Sequence, residues 1–273
     1  VHGSGPDEKM QVWKGSRNMK PLEIKHRVIG GGEPLICVPV VEQDAQSVIR
    51  EITYLSQSTA DMIEWRVDAF RDFTDYNAIR SVFEAVAPLL GEKLFLYTFR
   101  TAHQGGMAQV KAEQLDDLHD LAAESGCVDL VDLEFFEEDR PLHKIKRLRE
   151  MGVSVIASHH DFEQTPSPEV MKMLLEKMCA GGADIVKLAV MPQNYKDVLN
   201  LLDVTAQFRE ENPDTPVITM SMGSLGGISR ISGETFGSCV TFGAHEKPSA
   251  PGQFAMKELR QMLDTIHASS QIQ

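Results

Sequence analysis

Short apolar runs alternate with segments of helical periodicity along nearly the whole chain of 273 residues. The apolar runs, which we interpret as strands, cover residues 34–41, 62–68, 94–100, 128–135, 154–160, 185–191, 217–222 and 240–244. Helical spacing of apolar residues predicts helices over 45–56, 78–90, 109–123, 139–151, 168–180, 195–210 and 253–267. Only the connection around 228–236 is shorter. Eight strands that each lead into a helix predict an α/β fold, the (β/α)8 TIM barrel.

The length suits one large domain, because α/β barrels of this size occur as single domains. A doubly wound open sheet is the alternative fold, but no Gly-x-Gly-x-x-Gly sequence follows the first strand. Residues 22–31 predict a short β-hairpin that closes the bottom of the barrel. Residues 1–18 lack periodicity, so we interpret them as an extension or an expression remnant that is disordered. The single (β/α)8 catalytic domain is then expected to span 19–273.

Composition limits the partners of the chain. A net charge of −13 argues against binding to nucleic acid or to an anionic membrane. No apolar stretch reaches the roughly 20 residues of a membrane span. The four cysteines lie far apart and lack metal-ligand spacing, which is typical of reduced thiols in a cytoplasmic protein. We therefore expect no metal site, no membrane or nucleic-acid partner and a cytoplasmic location.

Charged side chains fall on one face of several predicted strands. Side chains alternate along a strand, so Glu64, Arg66 and Asp68 share a face opposite the apolar Ile63 and Trp65. The same alternation puts further charged residues on inward faces, so that the candidate centre includes Glu64, Arg66, Arg100, Asp132, Glu134 and Lys187. They lie toward the carboxyl ends of the strands, where barrel active sites are built. We therefore predict a catalytic or binding centre at that end.

Lys187 lies within the apolar strand sequence Asp-Ile-Val-Lys-Leu-Ala-Val-Met. An ammonium group removed from water without a partner is costly or gives up its proton. A desolvated lysine amine is a nucleophile that condenses with a carbonyl group to form a Schiff base. The alternative is structural, because the amine could instead pair with a buried carboxylate or reach solvent at a strand end. The charged residues predicted on the neighbouring strands favour the nucleophilic role of Lys187 over the structural one.

Histidines and a glycine-rich turn complete the candidate site. Strand alternation separates His159 from His160 without deciding which one faces the interior. An imidazole that titrates near neutrality is what proton abstraction beside a Schiff-base lysine needs. After the seventh strand, residues 223–230 form a glycine-rich turn, and Arg230 offers a fork for a carboxylate or a phosphate. Residues 249–253, Ser-Ala-Pro-Gly-Gln, follow the eighth strand and are expected to form the opposite wall.

These motifs together resemble those of the type I 3-dehydroquinate dehydratase family. The resemblance covers residues 19–273 and rests on six ordered motifs, where a single one would be weak. They are 64–68 (Glu-Trp-Arg-Val-Asp), 98–101 (Thr-Phe-Arg-Thr), 158–162 (Ser-His-His-Asp-Phe), 186–192 (Val-Lys-Leu-Ala-Val-Met-Pro), 220–222 (Met-Ser-Met) with Ser229-Arg230, and 249–253. The resemblance implies a homodimeric (β/α)8 barrel that converts 3-dehydroquinate to 3-dehydroshikimate in the shikimate pathway of aromatic amino acid biosynthesis, without metal or organic cofactor.

The resemblance also implies a role for each matching residue. Lys187 matches the Schiff-base lysine, and His160 matches the catalytic histidine of the Ser-x-His-Asp-Phe motif. The substrate-binding positions are matched by Glu64, Arg66, Arg100, Arg230, Ser249 and Gln253. Arg230 is expected to bind the substrate carboxylate. An iminium at C3 would make the C2 proton acidic, and His160 could remove it and return a proton to the leaving C1 hydroxyl in a syn elimination.

Gln104 departs from the family pattern. Members commonly carry a glutamate before two glycines at this point, whereas this chain has His103-Gln104-Gly105-Gly106. The family glutamate is thought to orient the catalytic histidine. Glutamine can orient it by hydrogen bonding but carries no charge, so we expect His160 to titrate lower here. The substitution also permits a paralogue with altered or lost activity, for example in quinate breakdown.

Two other functions are compatible with parts of this pattern. Another Schiff-base barrel, such as a class I aldolase, could use Arg230 and Ser249 for a phosphate. It would not explain the Ser-His-His-Asp-Phe sequence. A catalytically silent barrel that serves as a binding or regulatory module is supported only by Gln104.

Overall fold

The computed structural model describes residues 22–271, so the interpretation of residues 1–18 lies outside the described part of the chain. Within that part the ten strands are β1 (Leu22–Ile24), β2 (Arg27–Ile29), β3 (Leu35–Val40), β4 (Met62–Arg66), β5 (Leu94–Thr98), β6 (Leu130–Glu134), β7 (Ser154–Asp161), β8 (Ile185–Val190), β9 (Val217–Ser221) and β10 (Val240–Phe242). The nine α-helices of the same part are α1 (Ala45–Ser56), α2 (Tyr76–Val86), α3 (Ala112–Glu124), α4 (Pro141–Glu150), α5 (Pro168–Ala180), α6 (Tyr195–Glu211), α7 (Gly227–Ile231), α8 (Gly233–Phe236) and α9 (Met256–Ser270). No helix among these residues has the length and apolar character that crossing a membrane requires.

Strands β3 to β10 form one parallel sheet in the order β10-β3-β4-β5-β6-β7-β8-β9. The last strand therefore pairs with the first, which is the (β/α)8 barrel predicted from the sequence and not the doubly wound open sheet. The junction of β9 with β10 is closed by a few local bonds. Cys239 N donates to Val217 O at 2.8 Å, and Ser238 Oγ accepts from Thr219 N at 3.0 Å.

The N-terminal hairpin lies across the amino ends of the barrel strands, as the sequence predicted. Strands β1 and β2 pair antiparallel, and their turn places Lys25 in the left-handed region with φ 53°. Lys25 Nζ donates to Lys93 O at 2.8 Å and to Asp129 Oδ2 at 2.7 Å, just before β5 and β6. Ile29 is fully buried against the apolar residues at the bottom of the barrel. The hairpin therefore seals the end opposite the candidate site.

Strand alternation sorts the side chains into two cores. Outward-facing Trp65 makes edge-to-face contacts with Phe83 of α2 and with Tyr97 in the layer between sheet and helices. The lower interior of the barrel is filled by apolar side chains, including Met62, Leu94, Leu96, Leu130, Ile156, Ile185 and Ile218. The inward-facing charged residues Glu64, Asp132 and Lys187 lie above this layer. The apolar floor therefore limits the candidate site to the carboxyl ends of the strands.

Several element boundaries differ from those predicted. Strand β4 ends at Arg66, and Asp68 lies in a 3-10 turn, where its carboxylate accepts from the backbone N–H groups of Arg100 and Met107. Helix α9 begins at Met256 rather than at Gln253, because the chain there bridges back to Ala244 through backbone hydrogen bonds. Gln253 therefore lies in the loop after β10. These tertiary hydrogen bonds have no local periodic signature.

His119 of α3 makes the stability of the fold sensitive to acid. It is 3% exposed, and neither ring nitrogen has a hydrogen-bond partner among residues 22–271. Burial lowers the pKa of His119 to about 4, with nearby Lys144 adding to the shift and Asp116 opposing it. In the unfolded chain a histidine has a pKa near 6.5. As the pH falls, His119 is therefore protonated in the unfolded chain before it is protonated in the folded one, and this favours unfolding.

We predict that the free energy of unfolding falls by about 2 kcal/mol between pH 7 and pH 5 because of His119 alone, and that this fall begins near pH 6.5. The variant His119→Phe keeps a planar ring against Tyr97 and should lack this part of the loss. Urea unfolding of both proteins at pH 7 and pH 5 measures the difference. An equal loss in the two proteins would contradict the assignment.

Candidate active site

The predicted site residues converge at the carboxyl ends of the barrel strands. Glu64 and Arg66 come from β4, Arg100 follows β5, His160 lies in β7 and Lys187 in β8. Arg230 lies in α7, and Ser249 and Gln253 lie in the loop between β10 and α9. Parallel strands bring these ends to one side of the barrel, so residues far apart in the chain become neighbours.

Lys187 is 3% exposed, and its amine faces the barrel interior. Nζ donates to Asp132 Oδ2 at 3.0 Å and lies 4.5 Å from the centre of the Phe242 ring. Both interpretations of the lysine thus have a structural counterpart, since the amine pairs with a buried carboxylate and also faces the prospective site. Phe242 is an inward-facing residue of β10 that sequence reasoning missed, although strand alternation could have identified it.

Asp132 is shared by two cations. Its Oδ1 lies 2.9 Å from the Arg100 guanidinium and accepts from Ser158 Oγ at 2.5 Å, while Oδ2 accepts from Lys187. Burial would raise the pKa of Asp132, but Arg100 and Lys187 outweigh burial and hold it well below its usual range. Arg100 also donates to Glu134 Oε1 at 2.9 Å. Two carboxylates and two cations thus balance their charges inside the barrel.

His160 contacts Gln104 in a way that fixes the position of its ring proton. Gln104 Oε1 lies 2.9 Å from the backbone N of His160 and 2.9 Å from its Nδ1. A backbone N–H can only donate, so the atom facing it must be the amide oxygen. The same oxygen can only accept from the ring, so Nδ1 carries the hydrogen and Nε2 of the neutral imidazole is free to accept a proton.

The surroundings of His160 favour the neutral imidazole. Burial lowers its pKa well below the ordinary histidine value, and the positive charges of Arg100 and Lys187 lower it further. His159 points the other way, with its ring centre 5.4 Å from that of Phe136. The structure therefore brings His160 and not His159 into the site. Gln104 Nε2 is buried and lacks a hydrogen-bond partner within residues 22–271.

The two β4 residues differ in how firmly they are held. Arg66 makes a bidentate pair with Asp68 at 2.7 Å and 2.8 Å, which keeps the pKa of Asp68 below its usual value despite burial. Glu64 is buried and accepts a single side-chain hydrogen bond, from Thr98 Oγ1 at 2.8 Å. Glu64 therefore keeps acceptor capacity for a ligand hydroxyl group.

Arg230 is 1% exposed, yet no carboxylate of the described chain pairs with it. Its guanidinium donates to Pro251 O at 2.9 Å, and its Nε is buried without a partner among residues 22–271. Burial lowers the pKa of Arg230 to about 10. Ser249 and Gln253 form hydrogen bonds with each other in the same loop as Pro251. A buried guanidinium without a counter-charge is suited to bind an anion.

A match to a protein family agrees with this geometry. Residues 36–270 match the model of the type I 3-dehydroquinase family. The 3-dehydroquinate dehydratase of Syntrophotalea carbinolica is 41% identical over 250 residues, which cover 91% of this chain and 99% of the relative. The chain belongs to the type I 3-dehydroquinase family. The fold and the family resemblance predicted from the sequence are therefore confirmed.

Solved structures of 3-dehydroquinate dehydratases have the same fold as this chain. The enzyme of Clostridium difficile, solved with covalently modified comenic acid, has a TM-score of 0.88 at 38% identity. The alignment covers 92% of this chain and 98% of that one. The enzyme of Geobacillus kaustophilus has a TM-score of 0.89 at 35% identity, with the same two coverages.

Sequence reasoning identified every charged residue around Lys187 but not their pairing. Asp132 and Glu134 share a strand face, so periodicity could not show that Asp132 is the partner of the lysine. The contact of Pro251 with Arg230 was also missed, because a backbone carbonyl leaves no mark in sequence. Among residues 22–271, no group of His, Cys, Asp and Glu side chains is arranged to hold a metal ion.

We predict that Asp132→Asn destabilises the protein by about 3–5 kcal/mol, because two buried cations lose a shared anion while the shape of the side chain is kept. Urea unfolding at pH 7 measures the change. The matched control is Lys146→Ala, which removes an exposed pair with Glu150 and should change stability little. A loss of less than about 1 kcal/mol for Asp132→Asn would contradict the importance of the shared carboxylate.

Proposed function

We propose that this protein is a 3-dehydroquinate dehydratase, a hydro-lyase of the shikimate pathway that converts 3-dehydroquinate to 3-dehydroshikimate through a Schiff base on Lys187. The observation that carries the proposal is the juxtaposition of a buried lysine amine and an imidazole with a free Nε2 on neighbouring strands. Strands β7 and β8 pair with Ser158 opposite Lys187 and His160 opposite Ala189. Both groups lie at the carboxyl end of the barrel, where one bound substrate could touch both.

The first step is covalent. The Lys187 ammonium gives up a proton, and the free amine adds to the C3 ketone. The new hydroxyl group takes a proton back and leaves as water, so the iminium ion carries the single positive charge on nitrogen. Asp132 lies 3.0 Å from Nζ, and its carboxylate can balance this charge as it balances the ammonium of the free enzyme. The Phe242 ring beneath the amine adds a further favourable contact for a cation.

The second step is a proton transfer at His160. The iminium draws electrons from the neighbouring C2–H bond, so Nε2 of His160 can take that proton and leave an enamine. The imidazolium then returns a proton to the C1 hydroxyl as the C–O bond breaks, which gives water and a C1–C2 double bond. Hydrolysis of the remaining iminium releases the ketone product and restores Lys187. One base that also acts as the acid implies a syn elimination.

Substrate recognition is assigned to the remaining site residues. Arg230 binds the carboxylate, since its buried guanidinium has no anionic partner of its own. Glu64 accepts from a ring hydroxyl, and Ser249 and Gln253 contact the substrate from the loop after β10. Arg66 and Arg100, both held by carboxylates, contribute positive charge around the ring. Gln104 orients His160.

Relatives support this proposal. The Clostridium difficile enzyme was solved with covalently modified comenic acid, as expected for a site that forms covalent bonds to small acids.

The homodimer implied by the family resemblance and the cytoplasmic location inferred from the cysteines stay predictions. So does the absence of a metal or an organic cofactor, and so does the single domain over 19–273.

Borohydride trapping tests the proposal directly. We predict that 3-dehydroquinate with sodium borohydride leaves a covalent adduct on Lys187, found by peptide mass spectrometry, because hydride reduces the iminium to a stable amine. Without borohydride, the absorbance of the enone product should rise.

Lys187→Met, an isosteric control, should give neither the adduct nor the product. If the wild-type protein gives no adduct and no enone, the dehydratase assignment is wrong. An adduct with a phosphorylated sugar ketone but none with 3-dehydroquinate would instead identify an aldolase-type barrel.

The proton-transfer role predicts a pH dependence that Gln104 controls. The low pKa of His160 should place the acid limb of kcat/KM below pH 6.5, because the base is lost only when the imidazole is protonated. In Gln104→Glu, a carboxylate at 2.9 Å would favour the imidazolium and move this limb to higher pH. Steady-state rates between pH 4.5 and pH 9 measure the shift.

Gln104→Leu is the matched control for shape, since it keeps the volume but neither orients nor charges the ring. It should lower kcat without moving the limb upward. An acid limb that stays in place in Gln104→Glu would refute the electrostatic role.

A further inference from the structure

The substrate-binding loop, residues 245–254, touches the rest of the barrel in few places. Within the described part of the chain, hydrogen bonds join it to other segments at His245, Pro251 and Phe254. Ser249 and Gln253 bond only to each other, so neither fixes the loop to the barrel. Their positions over the site therefore depend on the contacts at the two ends and at Pro251.

The contact at Pro251 belongs to the site itself. Pro251 O accepts from Gly223 N at 3.2 Å and from the Arg230 guanidinium at 2.9 Å. Gly252 takes φ 79°, and a side chain there would meet Gly223 O at 2.3 Å, so the two backbones are in close contact. A ligand at Arg230 would share the guanidinium with Pro251. The hydrogen bond from Arg230 to Pro251 is therefore part of the site and not independent of what binds there.

The contact at His245 lies outside the site. The His245 ring stacks on Tyr54 of α1, with ring centres 3.9 Å apart and planes 16° from parallel. His245 Nδ1 lies 2.7 Å from Glu51 Oε1, one helical turn earlier on the same helix. We call these three residues the loop anchor. None of them contacts Lys187, His160 or Arg230 in the hydrogen bonds and ion pairs of the site.

We propose that His245 is a positioning residue for the reaction, and that its contacts with Tyr54 and Glu51 hold Ser249 and Gln253 where they meet the substrate. The stack and the hydrogen bond restrict the start of the loop before ligand arrives, so less conformational freedom is lost on binding. The anchor should therefore act on substrate binding and leave the chemistry of Lys187 and His160 unchanged. The role rests on the proposed dehydratase function.

The kinetic test uses variants of the two partners of the stack. His245→Ala and Tyr54→Ala should each raise KM for 3-dehydroquinate about 5- to 30-fold and change kcat less than about twofold. Tyr54→Phe keeps the ring and should retain the wild-type KM, because no hydrogen bond among residues 22–271 uses the Tyr54 hydroxyl. The double variant Tyr54→Ala/His245→Ala should be no worse than His245→Ala, since that single variant already removes both the stack and the hydrogen bond to Glu51.

A second measurement does not need activity. Limited digestion with a glutamate-specific protease, followed by mass spectrometry, gives the rate of cleavage after Glu246, which is exposed in the loop. Cleavage should be several-fold faster in His245→Ala and Tyr54→Ala than in the wild type and in Tyr54→Phe. The cleavage rates test the loop anchor independently of activity. If the wild-type protein does not dehydrate 3-dehydroquinate, that result refutes the proposed function but leaves this test of the anchor intact.

The proposal has definite ways to fail. An unchanged KM in His245→Ala, or a fall in kcat at constant KM, would overturn the positioning role. So would equal cleavage after Glu246 in His245→Ala and the wild type. A KM raised in Tyr54→Phe as much as in Tyr54→Ala would show that the hydroxyl group and not the stacked ring matters. This result would also overturn the positioning role.

Discussion

The carboxylate of Asp132 lies between the Lys187 amine and the Arg100 guanidinium in the interior of the barrel. Neither cation could stay in this interior without a nearby anion, because an unpaired buried charge is strongly destabilising. Asp132 also accepts from Ser158, so its acceptor sites are used and its ionised form is favoured. The position of the proposed nucleophile thus depends on one side chain of β6. The apolar floor beneath it confines all of this charge to the carboxyl end.

The electrostatics of this cluster extend to His160. The same cations that Asp132 and Glu134 hold in place lower the pKa of the imidazole, and burial lowers it more. A neutral glutamine at position 104 adds no opposing charge but still orients the ring through Oε1. Orientation and charge are therefore separable in this chain. The ring can be held in the tautomer that a base requires without a carboxylate beside it.

Much of the fold was predictable because strand and helix periods are local. Alternation along β4, β6 and β8 correctly placed Glu64, Asp132 and Lys187 inside the barrel, and the hairpin at the bottom was also expected. Boundaries set by tertiary hydrogen bonds were not predictable. Asp68 leaves its strand to accept from a loop some 39 residues away, and Gln253 stays out of α9 because the chain before the helix bridges to Ala244. Periodicity carries no information about such bonds.

The sequence by itself determined the barrel, the inward-facing charged residues and the family, because each depends on residue type and on spacing within one segment. Only the tertiary structure decided which of these residues meet. His160 and Gln104 are 56 residues apart, and Glu51 and His245 are 194 apart. Closing the barrel brings such distant segments together, and the choice between Asp132 and Glu134 as the partner of Lys187 is made by distances across strands. Those distances exist only after the eight strands have set their register.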